Sequence, residues 1–138
     1  MILIKESIKF RPYGENHLDW RRNMTQWWLE IADKECEVKG SIAVIVGLSL
    51  YPHHILQLPE AAPFRENVHF GHLLCAPAER KKRLEERGDA HHWGGHKEWY
   101  DEFFTAMQTA GAEEFDTTST SVEQTAKEVC AWLGKISE

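Results

Sequence analysis

Residues 41–48, Ser-Ile-Ala-Val-Ile-Val-Gly-Leu, form a near-continuous apolar run in the first half of the chain. Apolar and polar positions do not alternate in this run, so it predicts a strand buried on both faces, which is typical of parallel sheets. Residues 68–75, Val-His-Phe-Gly-His-Leu-Leu-Cys, predict another strand. Further strands are predicted at Met1–Phe10, where β-branched residues favour an extended backbone, and at residues 114–117.

Helical segments separate these strands. Apolar residues at helical spacing, with Pro77 as a favoured first helical residue, predict five helices, over residues 18–39, 53–58, 77–87, 97–110 and 121–135. The resulting order, β-α-β-α-β-α-α-β-α, is typical of the α/β class, in which a mainly parallel sheet lies between layers of helices. We therefore expect a three-layer sandwich formed by one α/β domain over residues 1–138, with ligands bound beyond the carboxyl ends of the strands.

Local signals predict where helices begin and end and which faces they bury. Asp19 is a possible N-cap of the first long helix, and Gly40 and Gly111 are expected to end helices. Ser121 forms a capping-box pattern with Gln124 at the start of the last helix. Five apolar residues share one face of the first long helix, namely Trp20, Met24, Trp27, Trp28 and Ile31. Five share one face of the last helix, namely Val122, Ala126, Val129, Cys130 and Leu133.

Length and composition exclude several classes of protein and partner. The chain has 138 residues, enough for one domain with one core, and its formal charge is −6, which argues against nucleic acid as a partner. No apolar run approaches the ~20 residues of a membrane span, and Lys5 and Glu6 interrupt the only candidate for a signal peptide, so no membrane partner is expected. The three cysteines are far apart, which makes a disulfide framework improbable. A cytoplasmic location is the default expectation.

Residues 73–89, Leu-Leu-Cys-Ala-Pro-Ala-Glu-Arg-Lys-Lys-Arg-Leu-Glu-Glu-Arg-Gly-Asp, combine a strand end with a basic helix and a turn. The pattern R-L-x-x-R at Arg83–Arg87 resembles the motif that opens the ATP lid in small P-loop kinases of the gluconate-kinase, shikimate-kinase and nucleoside-kinase kind. A polar segment at about residues 88–97 is similar to their lid, and a strand ending in Asp-Thr precedes the last helix, as in that family. The resemblance covers roughly residues 17–135.

The family's defining element is absent from the sequence. No stretch matches the P-loop, GxxxxGK[ST], whose backbone N–H groups and Lys bind phosphates, and GxGxxG is absent as well. The expected fold is therefore P-loop-kinase-like but lacks the first βα unit. Four explanations stay open: a truncated relative, a half-protein completed by a partner, Met1–Phe10 standing in for the missing strand, or a misassigned coding start.

The resemblance implies roles for particular residues. Arg83 and Arg87 would neutralise the charge of a transferring phosphoryl group, with Arg80 assisting. The residues that would contact the nucleotide are Asp116, Thr117 and Thr118. The residues that would contact the acceptor substrate are Ser49, Tyr51 and His53. ATP and Mg²⁺ are the cofactors that the family uses.

Each of these features also has a purely structural explanation. Arg83 lies four residues after Glu79 and can form an i,i+4 ion pair on a solvated basic helix face. The residues after the last strand can cap the final helix, and the residues after the 41–48 strand can form a surface loop.

Eight histidines raise the question of a metal site. His91, His92 and His96 lie close together, but Gly94-Gly95 argues against a helix that would present them at i,i+4 spacing. His69 and His72 are an odd number of residues apart on a strand, so they face opposite sides. We therefore predict no metal ligands.

Two hypotheses of function follow from these observations. The first is an incomplete or degenerate P-loop-kinase-like protein that binds a nucleotide or a phosphorylated small molecule. The alternative is a non-catalytic assembly protein whose open sheet is completed by a second copy or a partner chain, because a sheet without its central strand leaves backbone groups unpaired. Phosphoryl transfer by this chain alone is not expected, because nothing replaces the P-loop Lys.

Overall fold

The computed structural model of the chain describes residues 2–5, 17–36, 41–47 and 50–138. The elements follow the predicted order: β1 Ile2–Lys5, α1 His17–Glu35, β2 Ala43–Val46, α2 Pro52–Gln57, β3 Gly71–Leu74, α3 Pro77–Glu86, α4 Trp93–Thr109, β4 Glu113–Asp116 and α5 Val122–Ile136. Two 3₁₀ turns, Pro59–Ala61 and Ala90–His92, precede β3 and α4. This mixture of helix with parallel strands confirms the α/β class. Within the described ranges, no helix has the length and apolarity needed to cross a membrane.

The chain divides into two compact units, Met1–Val68 and His69–Glu138. In the first unit, β1 and β2 pair in parallel, from Ile2 opposite Ala43 to Lys5 opposite Val46. Its buried core consists of Trp28, Leu29, Ala32, Leu50, Leu58 and Ala61. The prediction that the 41–48 strand is buried on both faces is wrong for its described part, because β2 is only partly buried and Val46 is exposed.

Helix α1 buries a different face from the predicted one. Trp28 is 1% exposed, as expected, but Trp27 is 52% exposed. The buried residues lie one position further along the chain, at the same spacing: Arg21, Thr25, Trp28, Leu29 and Ala32. Thr25 fits there because its hydroxyl donates to the Arg21 carbonyl, 2.7 Å away, so no polar atom is left unpaired.

The helix α1 was predicted correctly, but its N-cap was not. The helix begins at His17, so Asp19 lies inside its first turn and does not cap it. An acidic residue there still interacts favourably with the helix dipole. The cap predicted at Gly40 lies outside the described residues.

In the second unit, β3 and β4 pair in parallel, from Gly71 opposite Glu113 to Leu74 opposite Asp116. Pro77 is the first residue of α3, as predicted, because its fixed φ suits a helix and its missing N–H is not needed there. Gly111 ends α4 with φ of 68°, a left-handed conformation that favours glycine.

Helix α4 begins at Trp93 and includes Gly94-Gly95, so the expectation that these glycines prevent a helix is wrong. Two contacts within the first turns favour the helix despite them. Lys97 and Asp101 form an i,i+4 ion pair of 3.5 Å, and the rings of Trp99 and Phe103 stack with centroids 5.0 Å apart.

Helix α5 begins as predicted, because the Ser121 hydroxyl oxygen accepts a hydrogen bond of 3.1 Å from the backbone N–H of Gln124. Its buried face is not the predicted apolar one. Val122 is 88% exposed, whereas Thr125 is buried and the Trp132 ring lies edge-on to Phe115, with centroids 5.7 Å apart. The helix packs through its largest side chain, Trp132, which lies outside the predicted stripe.

Gly71 provides a test of this packing. A Cβ atom at Gly71 would lie 3.1 Å from Cζ3 of Trp132 and 3.3 Å from Cε2 of Phe115, which is closer than ordinary van der Waals contact. We expect Gly71→Val to lower the free energy of unfolding by about 1–3 kcal/mol in urea denaturation. Gly134→Ala in α5 is the control, because nothing lies within 4 Å of its added Cβ and alanine favours a helix by up to about 1 kcal/mol. A Gly71→Val protein as stable as wild type would contradict this description.

Candidate functional site

A cavity of about 300 Å³ lies beyond the carboxyl ends of β3 and β4 in the second unit. This is the place where parallel α/β sheets commonly bind ligands. Residues from the end of β3, the first turns of α3, the middle of α4 and the end of β4 line it, including Cys75, Arg80, Tyr100, Phe104, Asp116 and Thr118.

Hydrogen bonds from the end of β3 fix the walls of the cavity. The backbone N–H of Cys75 donates to the Tyr100 hydroxyl oxygen, 3.2 Å away, and that of Ala76 donates to Oγ1 of Thr118, 2.8 Å away. Thr117 donates to the Leu74 carbonyl through both its N–H, at 2.8 Å, and its hydroxyl, at 2.7 Å. The loops that follow the two strands are therefore joined to each other and to α4.

Arg80 is the most unusual residue of the cavity wall. Only 7% of its surface is exposed, and its Cζ lies 3.5 Å from the centroid of the Tyr100 ring and 5.4 Å from that of Trp93. Its Nη1 donates to the Cys75 carbonyl at 3.3 Å. Nε and Nη2 are buried without a hydrogen-bond partner among the described residues. A buried donor without a partner costs free energy, and the stacking on Tyr100 offsets part of that cost.

The two arginines predicted to act in a lid have different surroundings. Arg83 donates from Nε to Glu79 at 3.0 Å, from Nη1 to Oγ1 of Thr117 at 3.3 Å and from Nη2 to the Thr117 carbonyl at 2.7 Å. Arg87 is exposed and lies 3.8 Å from Asp89. Neither of them lines the cavity. In this structure Arg83 joins α3 to the end of β4.

The predicted nucleotide-contacting residues lie together at the end of β4. Oδ1 of Asp116 accepts a hydrogen bond of 2.9 Å from the Thr118 N–H. The hydrogen bonds from Thr118 lower the pKa of the Asp116 carboxyl, which is therefore ionised at neutral pH. Asp116 and Thr118 line the cavity, whereas Thr117 forms hydrogen bonds with Leu74 and Arg83 and does not line it.

The predicted substrate-contacting residues belong to the first unit, as Ser49, Tyr51 and His53 precede Val68. Ser49 lies outside the described residues. Tyr51 precedes α2, and its ring stacks on His53 with centroids 5.8 Å apart and lies 5.6 Å from that of His54. Burial lowers the pKa of His54, and the nearby His53 and Arg22 lower it further. The structure brings Tyr51 and His53 together, and the cavity is in the other unit.

Tyr100 and Cys75 line the cavity but were not predicted as parts of a site. Tyr100 is the one residue of α4 whose ring carries a hydroxyl. A tyrosine among phenylalanines is a usable signal, because a buried hydroxyl needs a partner. Cys75 follows the last residue of β3, a position at which α/β proteins place ligand contacts.

The histidines form no metal site that the structure can describe. Within the described residues no three His, Cys, Asp or Glu side chains are grouped so that they could hold a metal ion. His72 is buried and His69 is exposed, in agreement with the prediction that they face opposite sides.

His72 lies among the rings of Tyr100, Phe103 and Phe104, with centroids 5.4–6.1 Å away. Its Nδ1 is buried and has no hydrogen-bond partner within the described chain. Burial lowers the pKa of His72 from its usual 6.5. The Glu114 carboxylate, on the strand beside it, raises this pKa by a smaller amount. The folded protein therefore holds this imidazole in its neutral form.

This environment predicts a pH dependence of stability. The unfolded state takes up a proton at His72 at a higher pH than the folded state does, so the free energy of unfolding must fall as the pH drops below about 6.5 towards the folded pKa. We expect His72→Phe to make this fall shallower in urea denaturations between about pH 8 and about pH 5. His69→Gln, which changes an exposed histidine, should retain the wild-type slope. Equal slopes for wild type and His72→Phe would contradict the prediction.

No protein-family model, curated protein or solved structure matches this chain.

Proposed function

We propose that the second unit binds a nucleotide or a phosphorylated small molecule in the cavity beyond β3 and β4. The observation that carries this proposal is Arg80, a buried guanidinium in the cavity wall with two donors that have no partner among the described residues. Guanidinium donors match the oxygens of phosphate in geometry as well as in charge.

Burial strengthens the attraction of Arg80 for an anion. The charge lies among the rings of Tyr100 and Trp93, where the effective dielectric constant is lower than in water, so an anion in the adjoining cavity interacts with it more strongly. Contact with Nε or Nη2 requires a small displacement of the covering side chains, because both atoms are shielded from solvent. The gain from two charge-assisted hydrogen bonds favours that displacement.

The proposal includes the fold that the resemblance implies. In it the two parallel strand pairs belong to a three-layer sandwich similar to a small P-loop kinase without its first βα unit. ATP with Mg²⁺ is then the first ligand to test. To reach a bound phosphate, the exposed Arg87 would have to exchange its ion pair with Asp89, and Arg83 would have to leave Thr117. Catalysis of phosphoryl transfer is not part of the proposal, because the sequence has no GxxxxGK[ST].

Replacement of Arg80 tests the proposal. Wild type is titrated by calorimetry with ATP and Mg²⁺, with AMP and with inorganic pyrophosphate, and we expect at least one of them to bind. Arg80→Met should weaken that binding by about 10- to 100-fold, since hydrogen bonds to charged groups contribute about 1.5–3 kcal/mol. Arg80→Lys keeps the charge but not the paired donors, so its affinity for the compound should lie between those of wild type and Arg80→Met.

Lys81→Met is the matched control, because it removes one positive charge from the same helix at an exposed position outside the cavity. It should leave binding nearly unchanged. If wild type binds none of the three compounds, or if Arg80→Met binds them as wild type does, Arg80 serves only the packing of Tyr100 and Trp93 and the proposal is wrong.

A second candidate function, self-association, is favoured by a separate observation. Among the described residues β4 is the only strand that pairs with β3, so the second edge of β3 is a candidate for pairing with a further strand. Leu73, in the middle of β3, is 57% exposed, although its register partner Phe115 is buried. A strand edge that carries an exposed leucine is suited to pairing with another strand, and we propose a second copy of this chain as the partner.

Leu73→Lys tests this candidate by light scattering after gel filtration over a wide range of concentrations. We expect wild type to dimerise and Leu73→Lys to weaken the dimer by about tenfold or more, because a buried lysine at a strand edge is unfavourable. Val122→Lys is the control, since Val122 is also exposed and apolar but lies on α5. A wild-type chain that is monomeric at every concentration would exclude self-association.

A further inference from the structure

We propose that the ligand of the cavity is a small zwitterion, in which an anionic group is joined by a short chain to an ammonium group or a similar cation. This inference rests on the proposed function, because it assigns the anionic group to Arg80. It adds a second contact, between the cationic group of the ligand and the carboxylate of Asp116.

The charges of the cavity wall are mixed. Arg80 supplies a positive charge, and Asp101 and Asp116 supply two carboxylates. Lys97 lies 3.5 Å from the Asp101 carboxylate and neutralises part of its charge. Asp116 has no such cation among the described ion pairs, and one of its oxygens, Oδ1, accepts from the Thr118 N–H.

A ligand with negative charge alone can bind this wall but uses only its positive part. It would gain from Arg80 but would be repelled by Asp116, which is ionised at neutral pH because its hydrogen bonds lower its pKa. A cationic group on the same ligand turns that repulsion into attraction. The arrangement therefore favours a zwitterion over a simple anion of similar size.

The size and the apolar part of the cavity agree with a short ligand. A volume of about 300 Å³ is at the lower end of the range for small-molecule sites. Leu74, Pro77 and Phe104 contribute apolar wall. A chain of a few carbon atoms would cover this wall while its two ends reach opposite charges.

Three compounds separate the two contacts on the wild-type protein. O-phosphoethanolamine carries both groups, ethyl phosphate carries the anion alone, and ethanolamine carries the ammonium alone. We expect phosphoethanolamine to bind about three- to fivefold more tightly than ethyl phosphate in NMR titrations, which is the size expected of an exposed ion pair. Ethanolamine should bind most weakly, because it makes no contact with Arg80.

Asp116→Asn assigns the preference to one residue. It removes the negative charge and keeps an oxygen that can accept from Thr118, so the loop should retain its structure. We expect it to abolish the preference for phosphoethanolamine and to leave ethyl phosphate binding equal or stronger. Glu113→Gln is the matched control, since it removes an exposed carboxylate from the other end of the same strand, outside the cavity.

The outcomes distinguish this inference from the proposed function. Equal binding of phosphoethanolamine and ethyl phosphate to wild type would overturn the zwitterion and leave phosphate binding in place. A preference for phosphoethanolamine that persists in Asp116→Asn would likewise overturn the zwitterion inference and leave phosphate binding in place. If neither phosphate compound shifts the signals of the cavity residues, the proposed function fails and the zwitterion inference fails with it.

Discussion

The contact between Arg83 and Thr117 fixes the geometry of the candidate site. Two guanidinium nitrogens donate to Thr117, while Thr117 itself donates twice to Leu74 at the end of β3. One residue after β4 is thereby attached to α3 and to the neighbouring strand at once. Because Thr117 is held there, Thr118 reaches the Ala76 N–H and Asp116 lines the cavity.

The basic helix α3 uses arginines of one face in different ways. Arg80, Arg83 and Arg87 are spaced so that they share a face, and the sequence predicted a common role in binding phosphate. In the structure, Arg83 joins α3 to the end of β4, Arg87 is exposed to solvent and Arg80 is buried. What separates Arg80 from the others is the pair of rings from α4, at positions 93 and 100. No pattern within α3 contains that information.

Local chemistry made the order and several ends of the elements predictable. Pro77 begins α3, Gly111 ends α4 and Ser121 caps α5, because each of these features is decided by a few neighbouring residues. The buried faces were less predictable. In α1 the buried stripe is shifted by one residue, and in α5 the exposed Val122 belongs to the stripe that was expected to be buried. A helix buries the face that its partners cover, and those partners are distant in sequence.

Both candidate functions involve residues of β3. Its carboxyl end forms part of the cavity through Leu74 and Cys75, and the proposed contact between copies would use its second edge and the exposed Leu73. These residues are consecutive, so a strand that pairs with this edge would restrict the backbone that carries the cavity wall. Ligand binding and association would then be linked, and any effect of the ligand on the dimer would be equalled by the effect of dimerisation on ligand affinity. A strand of four residues is short enough for that linkage to act through direct contact, without a change elsewhere in the unit.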